Sequence, residues 1–362
     1  MKVCSMTESK EMKYAPVIIP TLCRYDHFVR CLESLRKNTW AEHTDVYIGL
    51  DYPSKESHWE GYRKIKSYLQ APFPEFRNLF VIEHQENMGS GKNMRSLIEL
   101  CSKEYDRFIY TDDDAEFSPC FLQYMDLSLQ RYEDDDSVVA VVGYAYPVKW
   151  IADPKCTVVK QNFNCSAWGR GFWLSKRKRV LDYLHFNSLA KDFSSAFRSG
   201  SVKQMIDFAF KDYVSFCSSG WSGKRGFLNN ETDVAMRIYL AVKGKYAVMP
   251  LVSKVRNHGY DGSGECCQRI EGDEFGTFCV DEYPFSQQPI DESDTFELIE
   301  DTNFDLKANR DLLNAFDRVS PEEMKTVWEK AEKLAKLGKN GGALLAGKKV
   351  LKKAARKIGV ER

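Results

Sequence analysis

RFIYTDDD, residues 107–114, is the stretch on which the fold of this chain turns: an aromatic and apolar strand pattern runs straight into three consecutive aspartates. In an extended segment alternate side chains share a face, so Asp112 and Asp114 can point together into a cleft. Three adjacent carboxylates repel one another, and the end of an apolar strand is a costly place for them. A divalent cation relieves that conflict. Mg²⁺ or Mn²⁺ prefers oxygen ligands, taking one or two carboxylates and completing its shell with phosphate and water. A solvated acidic turn accounts for the same letters, and a second run, Asp134-Asp135-Asp136, reads that way because it precedes a strand. Position decides between the two.

Outward from the triplet, strand and helix signals alternate through the first 150 residues. Pro16–Ile19 reads as a short buried strand, and Phe28, Cys31, Leu32 and Leu35 then recur at helical spacing. DVYIGL (45–50), LFVI (79–82), RFIYT (107–111) and VVAVV (138–142) are further strands, and Met94, Leu97, Ile98 and Cys101 mark another helix face. The alternation predicts an α/β fold with a mostly parallel sheet flanked by helices on both faces. Ligands of such sheets bind beyond the carboxyl ends of the strands. There stand Thr21-Leu22-Cys23-Arg24, then Asp51, then Asn87, Gly89, Gly91, Lys92 and Asn93, and fourth the three aspartates. All fall on one rim, and that ordered set gives the triplet its weight.

Gly89-Ser90-Gly91-Lys92 is not a phosphate loop, because Glu86 and Asn93 stand where that motif needs Gly and Ser or Thr. It reads as a glycine turn feeding a helix N-terminus, with Lys92 near a nucleotide. The stretch from Trp150 to Asn230 is irregular and aromatic-rich; a helix from Asn230 to Lys243 and a strand from Tyr246 to Val255 follow. Asn230-Glu231-Thr232-Asp233 places two acids at that helix start. The helix dipole favours them there in any case, and either can serve as a general base. Glu231 and Asp233 point in opposed directions, so one faces the cleft, and Arg237 is spaced to orient Asp233. His258, in the glycine-rich NHGYDGSG loop, completes the metal shell or touches a phosphate, unless it is a plain loop histidine.

Fifty-two basic residues balance 52 acidic ones, so no global field favours nucleic acid. The opening MKVCSMTESKEMKY has no apolar stretch of signal-peptide length, and no run of about 20 apolar residues would span a membrane. Eleven cysteines without a C-x-x-C pair read as reduced thiols, which predicts a cytoplasmic location. From Lys348 to Arg362 seven basic residues and one acid are interleaved with apolar ones. A basic amphipathic helix of this kind lies on an anionic membrane surface or packs on its own domain.

DDDAEFSPCFLQYM resembles the metal-binding strand and following helix of GT-A glycosyltransferases of the Golgi N-acetylglucosaminyltransferase type, and PVIIPTLCRYDHFVRCLESL resembles their nucleotide-binding start. SAWGRGFW and VRNHGYDGSGECC look closer to bacterial glycosyltransferases of surface-polysaccharide loci, with Arg170 a departure from the Trp-Gly motif. The resemblance covers roughly residues 14–267. It implies a GT-A (Rossmann-like) fold and a metal-dependent, inverting glycosyltransferase that moves a sugar from a nucleotide diphosphate donor, UDP above all, to a glycan or lipid-linked acceptor. By the same matching, Asp114 holds Mn²⁺ or Mg²⁺, with Asp112 as a further ligand; His258, a candidate ligand from its loop alone, is a departure where an apolar residue is expected. Arg24, Asp51, Asn87, Gly91, Lys92, Asp112 and Asp113 bind the donor; Trp168, Trp173 and Trp221 line the acceptor side; Asp233, or Glu231, is the base. The implied organisation is a tail (1–13), a nucleotide-sugar half (14–150), an acceptor-binding and catalytic half (151–267), an acidic loop-rich extension (268–320) and a basic helical tail (321–362). A nucleotidyltransferase of the same fold would carry a Gly- and Lys-rich loop after the first strand, where TLCRYD stands instead. A catalytically silent glycan-binding scaffold is the other alternative.

Overall fold

A computed structural model describes residues 11–184, 233–264 and 284–317. Among these, eight strands form one sheet in the order β3-β2-β1-β4-β8-β6-β9-β7. They are β1 (Val17–Thr21), β2 (Asp45–Leu50), β3 (Asn78–Glu83), β4 (Arg107–Tyr110), β6 (Val138–Val142), β7 (Val158–Gln161), β8 (Arg170–Trp173) and β9 (Tyr246–Pro250). β1 is parallel to both β2 and β4, β2 to β3, and β6 to β9, whereas β8 is antiparallel to β4 and β6, and β7 to β9. Six of the eight strands therefore run one way, as the alternation predicted. β5 (Ala115–Phe117) leaves this sheet and pairs antiparallel with β10 (Val255–Asn257).

Both faces are covered because alternate residues of the inner strands are apolar on both sides. Val17, Ile19, Val46, Ile48 and Ile109 pack with residues of α1 (Tyr25–Arg36), α2 (Trp59–Tyr68) and α4 (Phe121–Arg131). Ile18, Tyr47, Phe108 and Tyr110 belong to the opposite cluster, with α3 (Ser90–Cys101), α5 (Leu174–Tyr183), α6 (Asp233–Lys243) and Leu313 of α7 (Leu306–Asp317). In α1 the buried residues are Phe28, Cys31, Leu32 and Leu35, the predicted i, i+3, i+4, i+7 stripe.

Two expectations need correction. The strand read from Tyr246 to Val255 is two strands in different sheets. Pro250 ends β9, having no N–H to continue a ladder, and β10 begins only at Val255. The stretch read as irregular after Trp150 contains β7, β8 and α5, and β8 runs through the middle of the main sheet. The described part of the acidic segment packs against the domain. Thr157 donates its N–H to Ile299 O at 2.8 Å, Lys254 Nζ pairs with Asp291, and Asn309 exchanges hydrogen bonds of 2.7 and 2.9 Å with the Ile151 backbone. No helix among the described residues is long and apolar enough to cross a membrane.

One core polar group makes stability depend on pH. Asp126 is fully buried on α4, where Oδ1 accepts the Ala15 N–H at 2.9 Å, and burial pushes its pKa from 3.8 up to about 8. The folded state therefore keeps a proton that the unfolded chain has lost above about pH 4. Stability from this group is complete below that pH and is lost as pH rises through about 8. Asp126→Asn keeps the acceptor for Ala15 and removes the titration. It should flatten the fall of Tm between pH 5 and 8, checked by thermal melts across that range.

Candidate active site

The carboxyl ends of β1, β2, β3 and β4 meet at one rim, and two further segments close it. Thr21, the last residue of β1, donates its hydroxyl to Asp113 Oδ2 at 2.8 Å. Three residues on, the Arg24 guanidinium reaches both neighbouring carboxylates: Nη2 pairs with Asp113 Oδ1 and lies 2.9 Å from Asp114 Oδ2. The other oxygen of Asp114 accepts from Asn257 Nδ2 at 2.8 Å. That contact follows from the β5–β10 ladder, which sets Asn257 opposite Ala115. The NHGYDGSG loop then passes over the aspartates. His258 donates its backbone N–H to Asp114 O at 2.8 Å, and a Cβ placed on Gly259 would lie 2.1 Å from Asp114 Oδ2. Only glycine permits so close an approach.

Asp112 accepts the Tyr110 hydroxyl. Burial, and then the Asp114 charge, push its pKa up to about 7; burial also raises Asp113, against the pull of Arg24. Three carboxylates thus face one guanidinium, and the excess negative charge is what a hard cation would offset. Among the described residues no three or more His, Cys, Asp or Glu side chains are grouped to hold a metal by themselves. The donor atoms of Asp112 and Asp114 are all oxygens, the type that a Mg²⁺- or Mn²⁺-like ion takes with phosphate and water completing its shell.

Asp51 closes the next corner. It is 3% exposed and acts as an acceptor for a loop: Oδ1 takes the N–H groups of Tyr52 (2.9 Å) and Met88 (2.7 Å), and Oδ2 takes that of Gly89 (2.8 Å). Asn87 Nδ2 donates to Tyr52 O at 2.6 Å, so the 87–89 turn is tied to the end of β2. Gly89 has φ 71° and α3 starts at Ser90, the predicted glycine turn into a helix. Behind it Asn93 donates to Gly49 O at 2.7 Å and packs where a Cβ on Gly49 would lie 2.0 Å from its Oδ1. Gly91 and Lys92 are exposed on the first turn of α3.

On the far side of the aspartates, Asp233 opens α6 with its side chain 37% exposed. Arg170, the first residue of β8, lies opposite Tyr110 and Val142 in the sheet and is 3% exposed. Its Nη1 donates to Cys165 O at 2.7 Å and lies 3.3 Å from Asp233 Oδ1. Arg237 Nε instead points to the backbone carbonyl of Asp233 at 3.4 Å. Two residues before Arg170, Trp168 belongs to an aromatic group that reaches the NHGYDGSG loop through Tyr260. Trp168 meets Tyr144, Tyr260 and Phe285 edge-on, with ring centroids 4.7, 5.7 and 5.6 Å away.

The rim thus gathers Arg24, Asp51, Asn87, Asp112, Asp113, Asp114, Trp168 and Asp233. Trp173 is corrected: it lies opposite Arg107, at the other end of β4, and its indole N–H donates to Leu129 O at 3.1 Å in the core. The His258 imidazole turns to Glu116, with Nε2 2.6 Å from Oε2, so the contact of this residue with Asp114 runs through its backbone. Glu231, Trp221 and residues 321–362 lie outside the described residues. Sequence reasoning missed Thr21, Asn257 and Gly259 as partners of the aspartates, although each stands in a quoted segment. It also read Arg170 only as a departure from a motif. A basic residue opening a four-residue apolar strand was the available signal.

Residues 17–216 match the family described as Glycosyl transferase family 2. No match is found among curated proteins. Solved structures similar to the chain include TarS from S. aureus, at 15% identity and a TM-score of 0.33 over 46% of this chain and 30% of that one. Another is the mannosyltransferase PcManGT from Pyrobaculum calidifontis in complex with GDP-Man and Mn²⁺, at 15% and 0.33 over 47% and 46%. A third is TarS 1-349 from S. aureus in complex with UDP-GlcNAc, at 15% and 0.33 over 46% and 48%. The chain therefore spans less than half the length of each.

Proposed function

Because the chain belongs to glycosyl transferase family 2, we propose that it transfers a sugar from a UDP-sugar, with Mn²⁺ or Mg²⁺, to a glycan or lipid-linked acceptor of cell-surface polysaccharide assembly, inverting the anomeric centre. The observation that carries this reading is the buried aspartate cluster, opposed by Arg24, on the rim where the post-strand segments converge. Asp114 and Asp112 would hold the divalent ion, which would supply positive charge to stabilise the departing diphosphate. The remaining steps belong to the chain's own side chains. The turn held by Asp51 frames the nucleoside, and Asp113, fixed by Thr21 and Arg24, braces the site beside the ribose. Trp168 and its aromatic neighbours border the acceptor. Asp233 takes the acceptor hydroxyl proton as that oxygen bonds to the anomeric carbon and the carbon–phosphate-oxygen bond breaks, releasing UDP. The basic segment 348–362 holds the enzyme at the cytoplasmic membrane surface, near a lipid-linked acceptor.

The direct test is nucleotide release from a panel of UDP- and GDP-sugars, with Mn²⁺ and with EDTA. Release from a UDP-sugar that stops in EDTA is expected. Turnover unchanged by EDTA would remove the metal from the proposal, and a preference for GDP-sugars would change the base.

A further inference from the structure

We infer that Arg24 is the resident counter-cation of the aspartate cluster, and that it makes binding of a divalent cation depend on simultaneous binding of a nucleoside diphosphate. The inference rests on the metal-and-diphosphate reading above and adds to it an order of assembly. Arg24 does not hang loosely over the site. Its carbonyl accepts the Phe28 N–H at 2.9 Å, anchoring it at the start of α1, and its side chain is 21% exposed. The guanidinium bridges Asp113 and Asp114 at ion-pair distance, one of them the carboxylate assigned to the metal. The loop above is shaped to it: a Cβ on either Gly259 or Gly264 would lie 3.3 Å from Arg24 Nη1. Neighbouring cations have other partners. His27 Nε2 is 3.0 Å from Asp261 Oδ2, and Arg256 Nη1 is 3.7 Å from Glu116 Oε2.

With Arg24 in place, part of the cluster's negative charge is already offset. A divalent ion arriving alone must sit beside a guanidinium that repels it. Even at water-like screening a unit and a double charge about 5 Å apart weaken binding by about tenfold or more. A diphosphate changes the balance, because its oxygens ligate the ion and give the guanidinium a new anionic partner. The two ligands therefore help each other, and linkage requires the help to be reciprocal. The arrangement keeps a free cation from occupying Asp114 without the donor.

Mn²⁺ binding measured by titration calorimetry or by loss of the free-ion EPR signal, with and without saturating UDP, tests this. Arg24→Gln should bind Mn²⁺ alone about tenfold more tightly than wild type. It should also bind UDP more weakly in the presence of Mn²⁺, so the mutual enhancement shrinks. Arg24→Lys keeps the charge and should stay closer to wild type. Mn²⁺ affinity that is equal or weaker in Arg24→Gln overturns the inference while leaving the transferase reading intact. Wild type needs no folded variant: its Mn²⁺ affinity must rise about tenfold or more with UDP, and equal affinities overturn the inference. A wild-type protein that binds neither Mn²⁺ nor UDP overturns the underlying reading instead.

Discussion

Asp114→Ala should lower metal-dependent sugar transfer by about 10³-fold, the equivalent of the several kcal/mol that a bound cation contributes to a developing negative charge. The residue sits where three separate segments converge. β4 and β5 carry it, Arg24 reaches it from the end of β1, and Asn257 reaches it from β10. Removing the carboxylate would take away the proposed oxygen ligand and leave Asn257 Nδ2 without this acceptor. Asp114→Asn separates the two effects, because its amide oxygen can still accept from Asn257 and its charge is gone. Both variants should therefore lose transfer, and Asp114→Asn, which keeps the Asn257 bond but gives up the ion pair with Arg24, should keep a Tm closer to wild type than Asp114→Ala does. The measurement is kcat/KM against Mn²⁺ concentration with the donor saturating. An Asp114→Asn enzyme with wild-type kcat/KM at ordinary Mn²⁺ would move the metal to another carboxylate.

The fold was legible wherever apolar runs were short and bounded. DVYIGL and VVAVV matched β2 and β6 to the residue, β2 ending before Asp51 and β6 bounded by Ser137 and Gly143, because the middle of a strand covered on both faces is a continuous apolar run. The α1 stripe was legible for the matching helical reason. What failed was the part of the sheet that breaks the alternation. β8 has four residues, too few for a period, and Gly171 at its centre reads as loop. Yet it lies between β4 and β6, and its antiparallel run is why Trp168 and Trp173 part company. At about 3.3 Å per residue, one tryptophan stays at the rim and the other reaches the far end of the sheet.

The site followed the same division. Charged residues just past parallel strands were legible, because topology alone places them on one rim. Partners brought by pairing were not. Asn257 reaches Asp114 only because β10 changes sheets, and Asp51 holds the 87–89 turn through backbone N–H groups that no side-chain pattern marks.

Asp233→Asn should lower kcat for transfer by about 10²–10⁴, with Mn²⁺·UDP binding unchanged. Two roles compete for this residue, and magnitude separates them. As an anion in the first turn of α6 it would contribute only about 0.3–1 kcal/mol, through the helix dipole. Losing that would shift Tm by a few degrees and leave chemistry nearly untouched. As the group that takes the acceptor proton, its loss costs about 3–5 kcal/mol of barrier. Asparagine is nearly isosteric and keeps an oxygen toward Arg170 Nη1, so geometry is held while basicity is removed. The position supports the larger figure. A carboxylate 37% exposed at the rim, with a buried arginine from the central strand 3.3 Å behind it, is held in place yet open to an incoming hydroxyl. Kinetics across a panel of glycan and lipid-linked acceptors, beside UDP titrations of both proteins, make the comparison. A loss below about fivefold would return Asp233 to the role of a helix-start residue and send the search for the base to Glu231.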